Sequence, residues 1–280
     1  MKPDVRPSPI AGTWYPGSAQ ALSQTITHYL DQSPPCPVSG RVVGVVVPHA
    51  GYKYSGQVAA HAFRCLKGQS PEIVAVVSPY HALHRAPILI ADHQAYRTPL
   101  GEIPVDEAAV HDVIEHLHND YAFNVARPRL DSEHSLEIEL PFLQLCLDRP
   151  FTLLPIMLRE QSQSAAQAIG QTLIDVLQDR KALLVASSDL SHFYPDEVAR
   201  QLDAEILARA EAFDPESVLS AEDEGVGFAC GRGAIAAILW AARGLGADRC
   251  QVVNYGTSGD VTGDRQSVVG YGAAVLYSQG

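Results

Sequence analysis

Residues 42–56, VVGVVVPHAGYKYSG, open as a largely β-branched apolar run and then place Pro48, His49 and Gly51 within four positions. An apolar run with no polar alternation is the pattern of a strand covered on both faces. Val42–Val47 is therefore predicted as a core strand. Pro48 ends its hydrogen-bonding ladder, Gly51 allows a sharp turn, and His49 is left at the carboxyl end. The pattern recurs twice. IVAVVSPYHALH (residues 73–84) delivers His81, and ALLVASSDLSHFY (residues 182–194) delivers Asp189 and His192.

Further strand-length apolar runs lie at residues 88–91, 151–156, 251–254 and 268–277. Amphipathic helical stretches fall near residues 22–30, 57–66, 106–118, 134–147, 162–178, 196–212 and 231–243, several of them between strands. Buried strands alternating with helices predict an α/β fold, a three-layer α/β/α sandwich. Residues 1–18 read as an irregular arm carrying Trp14 and Tyr15. No linker or repeat interrupts the 280 residues, so one domain is expected over 1–280.

The chain carries 20 basic and 32 acidic side chains, a formal charge of −12. An acidic surface repels phosphate backbones and anionic lipid, which argues against nucleic-acid or membrane partners. No signal-like or membrane-spanning run is present, and a cytoplasmic protein is expected. The five cysteines form no CxxC pair and read as reduced thiols, mostly buried. Neither Gly-rich stretch near the C-terminus follows a strand in the pattern of a nucleotide-binding loop.

In open α/β sheets ligands collect at the carboxyl ends of the strands. If the sheet is mostly parallel, His49, His81, Asp189 and His192 share one rim. His28, His111, His116 and His118 fall on polar helical faces or ends, His61 and His93 lack a polar cluster, and His84 is ambiguous. In DSEHSLEIELPFLQL (residues 131–145), Asp131 or Ser132 can cap a helix, with Glu133 and Glu137 complementing its dipole. His134 in such a first turn opposes the dipole unless it is neutral or faces a site. Cys230 precedes the apolar helix of residues 234–242, where the helix dipole and Arg232 are expected to favour a thiolate. Two imidazoles and one sulfur make a three-point metal site with open positions.

Several motifs, in order along the chain, carry a family resemblance: AGTWYPGS, VPHAGYKYSG, SPYHALH, YRTPLGEIPVD, SEHSLEIELPFLQ, SSDLSHFY, CGRGAIAAIL and NYGTSGD. The sequence resembles the Memo family, named AmmeMemoRadiSam system protein B in prokaryotes. That resemblance implies the fold of class III extradiol ring-cleaving dioxygenases. It also implies a metal site at His49, His81 and Cys230, with Asp189, His192 and His134 in the pocket. The related dioxygenases use a carboxylate where Cys230 stands, and the softer sulfur favours iron, with copper or zinc as alternatives.

The first functional expectation is a metal-dependent redox enzyme, with His192 oriented by Asp189 to move protons and His134 as a second acid/base. A second is a non-enzymatic peptide- or anion-binding module with Trp14, Tyr15 and Tyr54 as aromatic walls. The family name suggests radical-SAM and AMMECR1-domain proteins as its partners. Hydrolysis by a zinc-activated water, with His192 or Glu137 as base, is a third.

Overall fold

The apolar run at residues 42–47 lies in the interior of a nine-stranded sheet. The computed structural model describes residues 4–129 and 131–279. Its strands are β1 (Val5–Arg6), β2 (Arg41–Val47), β3 (Ile73–Pro79), β4 (Ile88–Leu89), β5 (Ala95–Thr98), β6 (Gly101–Pro104), β7 (Val125–Ala126), β8 (Thr152–Leu158), β9 (Ala182–Ser187), β10 (His192–Tyr194), β11 (Arg249–Thr257) and β12 (Val268–Ser278). The helices are α1 (Ala19–Gln32), α2 (Tyr52–Arg64), α3 (Glu107–Asn119), α4 (Leu140–Cys146), α5 (Gln163–Leu177), α6 (Asp196–Glu211), α7 (Pro215–Asp223), α8 (Arg232–Gly244) and α9 (Ser258–Thr262). A 3₁₀ turn spans Glu137–Glu139.

The large sheet runs β10-β12-β2-β9-β3-β8-β4-β7, with β11 also paired to β12. Its centre, β2-β9-β3-β8, is parallel, so the carboxyl ends of these strands share one rim. Strand β12 is antiparallel to β2, β10 and β11. Helices α2 and α8 pack on β2 and its neighbours, with α1 and α4 against α2 and α5 against α8. Every residue from Val42 to Val47 is buried, as a doubly covered strand requires. The architecture is the expected α/β sandwich, and no helix among the described residues is long and apolar enough to cross a membrane.

Several expectations change in detail. The arm is partly regular: β1 pairs in parallel with β5, and β5 with β6, in a separate three-stranded sheet. The helix expected over 134–147 begins only at the 3₁₀ turn, so His134 lies outside it and meets no dipole conflict. Helix α2 starts directly after Gly51, whose φ of −55° is ordinary for any residue; the turn there needs no left-handed glycine. Helices α7 and α9 were not expected from the sequence pattern. Cys36 and Cys65 are disulfide-bonded, correcting the expectation of five reduced thiols. The segment after α1 folds back onto the C-cap of α2 and brings their Cα atoms to 4.9 Å, within bridging reach.

Candidate metal centre

The parallel register brings the ends of β2, β3 and β9 together, and with them His49, His81 and the Ser187–Asp189 turn. His49 is 1% exposed. Its Nδ1 lies 2.9 Å from Ser187 Oγ, whose proton goes to the Ser135 carbonyl at 2.6 Å. Ser187 can therefore only accept from the imidazole, which fixes the Nδ1–H tautomer and leaves an Nε2 lone pair. Burial, reinforced by His134 and His81, pushes the His49 pKa well down and keeps the ring neutral. Glu139 Oε1 is also 2.8 Å from Ser187 Oγ, and burial raises its pKa well above the carboxylate range. A protonated Glu139 donating to Ser187 satisfies all three contacts.

Glu133 supports the second imidazole. Its Oε2 accepts the His81 backbone N–H at 2.6 Å; Oε1 accepts His81 Nδ1–H at 2.9 Å and the N–H groups of His134 and Ser135 at 3.0 Å each. Burial alone would raise its pKa, but His81 and these donors hold it well below the ordinary range. His81 is thus also held through Nδ1, leaving Nε2 as its remaining ring nitrogen. The His134 ring stacks on His81 at 4.8 Å and 17°, with its Nδ1 3.3 Å from Glu133 Oε1. Burial is the main cause that brings the His134 pKa down to about 4.

Cys230 supplies the third donor, its Sγ 3.2 Å from His49 Nε2. A Cβ on Gly231 would stand 2.5 Å from the Ser187 carbonyl, so only glycine lets this turn approach β9 so closely. Cys230 lies before α8, and the helix does not produce the expected thiolate. Its packed surroundings, with Asp189, push the thiol above its ordinary value, and the Arg232 guanidinium is paired with Glu222. A bound cation would displace that proton. The donor atoms of His49, His81 and Cys230 lie within 4.8 Å of one another. Two imidazoles, each bonded through Nδ1 to an oxygen partner so that Nε2 is the remaining ring nitrogen, and one sulfur fit a soft or borderline divalent metal. His81, Glu133 and His134 also converge, but Glu133 is already occupied in holding both imidazoles.

The other expected residues divide. Asp189 does not orient His192: its Oδ1 accepts the backbone N–H groups of His49 at 2.7 Å and Ala50 at 3.2 Å. Burial raises its pKa to about 7 against those donors. His192 instead donates Nδ1–H to the Leu190 carbonyl at 2.8 Å, leaving Nε2 free. It begins β10, whose irregular pairing to β12 includes Phe193 at φ 66°. Such irregularities re-aim side chains beside sites. Trp14 stands over His134 with ring centroids 4.1 Å apart. Tyr54 lies on the exposed side of α2 with Lys53 over its ring, and no described aromatic contact joins it to the histidines. Tyr15 is buried and donates to Glu137 at 2.7 Å, so it forms no wall.

The chain is similar to known proteins over nearly its whole length. The family described as "Memo-like protein" matches residues 6–275. The chain belongs to the Memo family. It is 34% identical to a MEMO1 family protein of Methanococcoides burtonii, over 97% of this chain and 100% of that protein. It is 32% identical to one of Nitrosopumilus maritimus, over 96% and 98% of the two chains. A third MEMO1 family protein, from Methanothermobacter thermautotrophicus, is 32% identical over 95% and 98%.

In this Memo-family chain the unexpected participants are those that hold the site together. Arg6, 3% exposed, reaches Glu137 at 2.6 Å, Asp131 at 2.5 Å and the Glu133 carbonyl at 2.8 Å. Ser8 and Tyr15 also donate to Glu137, which is thereby a structural anchor and poorly placed as a base. Asp131 caps no helix; besides Arg6 it accepts the Glu133 N–H at 3.2 Å. The family motif SEHSLE marks His134, whereas Glu133 reads from the sequence as a helix-dipole residue. Nothing in the sequence near Arg6 signals its partners.

Proposed function

We propose that this chain is a metal-dependent redox enzyme, with iron as the first candidate and copper as the alternative, held by His49, His81 and Cys230. The observation that carries this reading is the convergence of three donor atoms within 4.8 Å, each imidazole turned by its outer partner to offer Nε2. A bound redox metal would supply one-electron chemistry and open positions for a small substrate. Ser187 and Glu133 would keep the two rings from rotating. His192, with Nδ1–H committed to Leu190, has Nε2 available to take a proton from substrate and return it. His134, neutral and backed by Glu133, is a second proton acceptor beneath Trp14.

The test is anaerobic loading with Fe(II), followed by metal analysis of the wild type and the His49→Ala/Cys230→Ala variant. Stoichiometric retention by the wild type alone is expected, and oxygen uptake with reductant should follow loading. Equal retention by both proteins removes the assigned site. The alternative, a non-catalytic binding module, draws on Trp14, which is 37% exposed above His134 and offers an aromatic wall that proton transfer does not require. Ligand binding that survives metal removal, with no oxygen uptake under any metal, would favour it.

A further inference from the structure

On the rim beside the candidate metal ligands lies a cavity of about 260 Å³ lined by Tyr80, His81, Arg159, Phe228, Cys230 and Arg232, with Glu222 at its edge. Residue 159 directly follows β8. The register Pro79↔Leu158 and the 2.7 Å bond from Tyr80 N–H to the Leu158 carbonyl set Arg159 beside the segment that carries His81. Among the described residues no carboxylate lies within 4 Å of the Arg159 guanidinium, and its Nε is buried without a hydrogen-bond partner. Arg232 Nε is likewise buried and unpartnered, although its Nη1 is paired with Glu222. A half-buried guanidinium without a counter-charge is costly unless an anion satisfies it.

Other groups near the cavity are already satisfied. Gln161 accepts the Gly233 N–H at 2.8 Å and donates to Leu158, and the Gly231 N–H goes to Ser188. The Gly231 and Gly233 N–H groups at the start of α8 are therefore engaged, and the guanidinium groups are the cationic donors at the cavity. A larger cavity of about 750 Å³ shows the contrast: its Arg127 and Arg129 are each paired with Asp92 or Asp4.

We infer that Arg159, assisted by Arg232, forms a subsite for the anionic oxo group of a small substrate, a carboxylate or a phosphate, whose organic part lies between Tyr80 and Phe228 next to the metal ligands. This deepens the reading of the rim as a ligand cleft and rests on it. The cavity is smaller than the roughly 300–1,000 Å³ pockets that hold drug-sized ligands, so the occupant is a small acid. Glu222 competes with it for Arg232, so the subsite carries a built-in counter-ion that the ligand displaces.

The experiment is calorimetric and NMR titration of the full chain, metal-free, with inorganic phosphate, methyl phosphate and butyrate, using uncharged butyramide as control. Saturable binding of phosphate, methyl phosphate or butyrate is expected, without binding of butyramide. Phosphates alone would assign a phosphate ester, and butyrate alone a carboxylic acid. Arg159→Gln should weaken binding at least tenfold. Glu222→Gln, by releasing Arg232, should tighten it, a gain that a merely unfolded variant cannot mimic. Because the titration is run metal-free, its outcome does not depend on whether His49, His81 and Cys230 hold a metal, which separates failure of the metal reading from failure of this one. Equal affinity in Arg159→Gln, or no saturable anion binding by the wild type, overturns the inference.

Discussion

Replacing Glu133 by Gln tests whether the carboxylate behind His81 tunes the metal site. The substitution preserves shape and can keep Oε1 facing His81 Nδ1 and the N–H groups of His134 and Ser135. It places an NH₂ where Oε2 now accepts the His81 backbone N–H at 2.6 Å, so a donor confronts a donor. Losing one charge-assisted hydrogen bond costs about 1.5–3 kcal/mol. If that cost falls on the orientation of His81, metal affinity drops by ~10–150-fold, overlapping the range found for outer partners of ligating histidines. Anaerobic competition against a chromogenic chelator, with Fe(II) and Zn(II), measures it. The same substitution in a His81→Ala background should have little further effect, because its route to the metal is gone. Affinity within twofold of wild type in a folded Glu133→Gln protein, or full additivity with His81→Ala, refutes the reasoning.

Arg6→Met should lower unfolding free energy by about 3–5 kcal/mol in urea titration, since it leaves Glu137 and Asp131 buried without their cation. Unchanged stability would show that these carboxylates find other partners. Cys36→Ser should cost about 3–4 kcal/mol under oxidising conditions, from the loop closed across a sequence separation of 29, and almost nothing in reductant. In metal-free protein, His134 titrates near 4 when folded and near 6.5 when unfolded. Below 6.5 the unfolded chain therefore binds the additional proton, and stability should fall by up to about 3 kcal/mol as pH drops from 6.5 to 4. His134→Asn should flatten that slope in denaturation curves; an unchanged slope excludes His134 as its source. Gly231→Ala places a Cβ 2.5 Å from the Ser187 carbonyl and should cost about 1–3 kcal/mol while moving Cys230 and weakening metal retention. Normal retention at wild-type stability would contradict the close-approach argument.

The central strands were legible because burial on both faces writes an uninterrupted apolar run, as in Val42–Val47. The rim residues were legible for the same reason: once β2, β3 and β9 are recognised as parallel, His49, His81 and Asp189 follow at their ends. The two-residue strand β1 and the four-residue strands β5 and β6 are too short to show periodicity. Which oxygen faces which imidazole nitrogen depends on contacts between distant segments, such as Glu133 with His81 and Ser187 with His49. The expected Asp189–His192 pair failed because sequence proximity does not dictate side-chain direction; the turn at Leu190 gives His192 a nearer backbone acceptor. Cys36 and Cys65 gave no signal, since their approach depends on how the segment after α1 folds back.

The clasp made by Arg6 also bears on the order of assembly. Its carboxylate partner Asp131 lies 125 residues further along the chain. During synthesis at roughly 5–20 residues per second, the arm waits on the order of 6–25 s before that partner exists. In the interval Arg6 has no buried carboxylate to meet, and the ordering of the His134 loop must await contacts of high sequence separation, which form slowly. Strand β9, which lies between β2 and β3, is made later still, so the clasp of Arg6 on Asp131 and Glu137 can close before His49 and His81 are brought side by side on the finished rim.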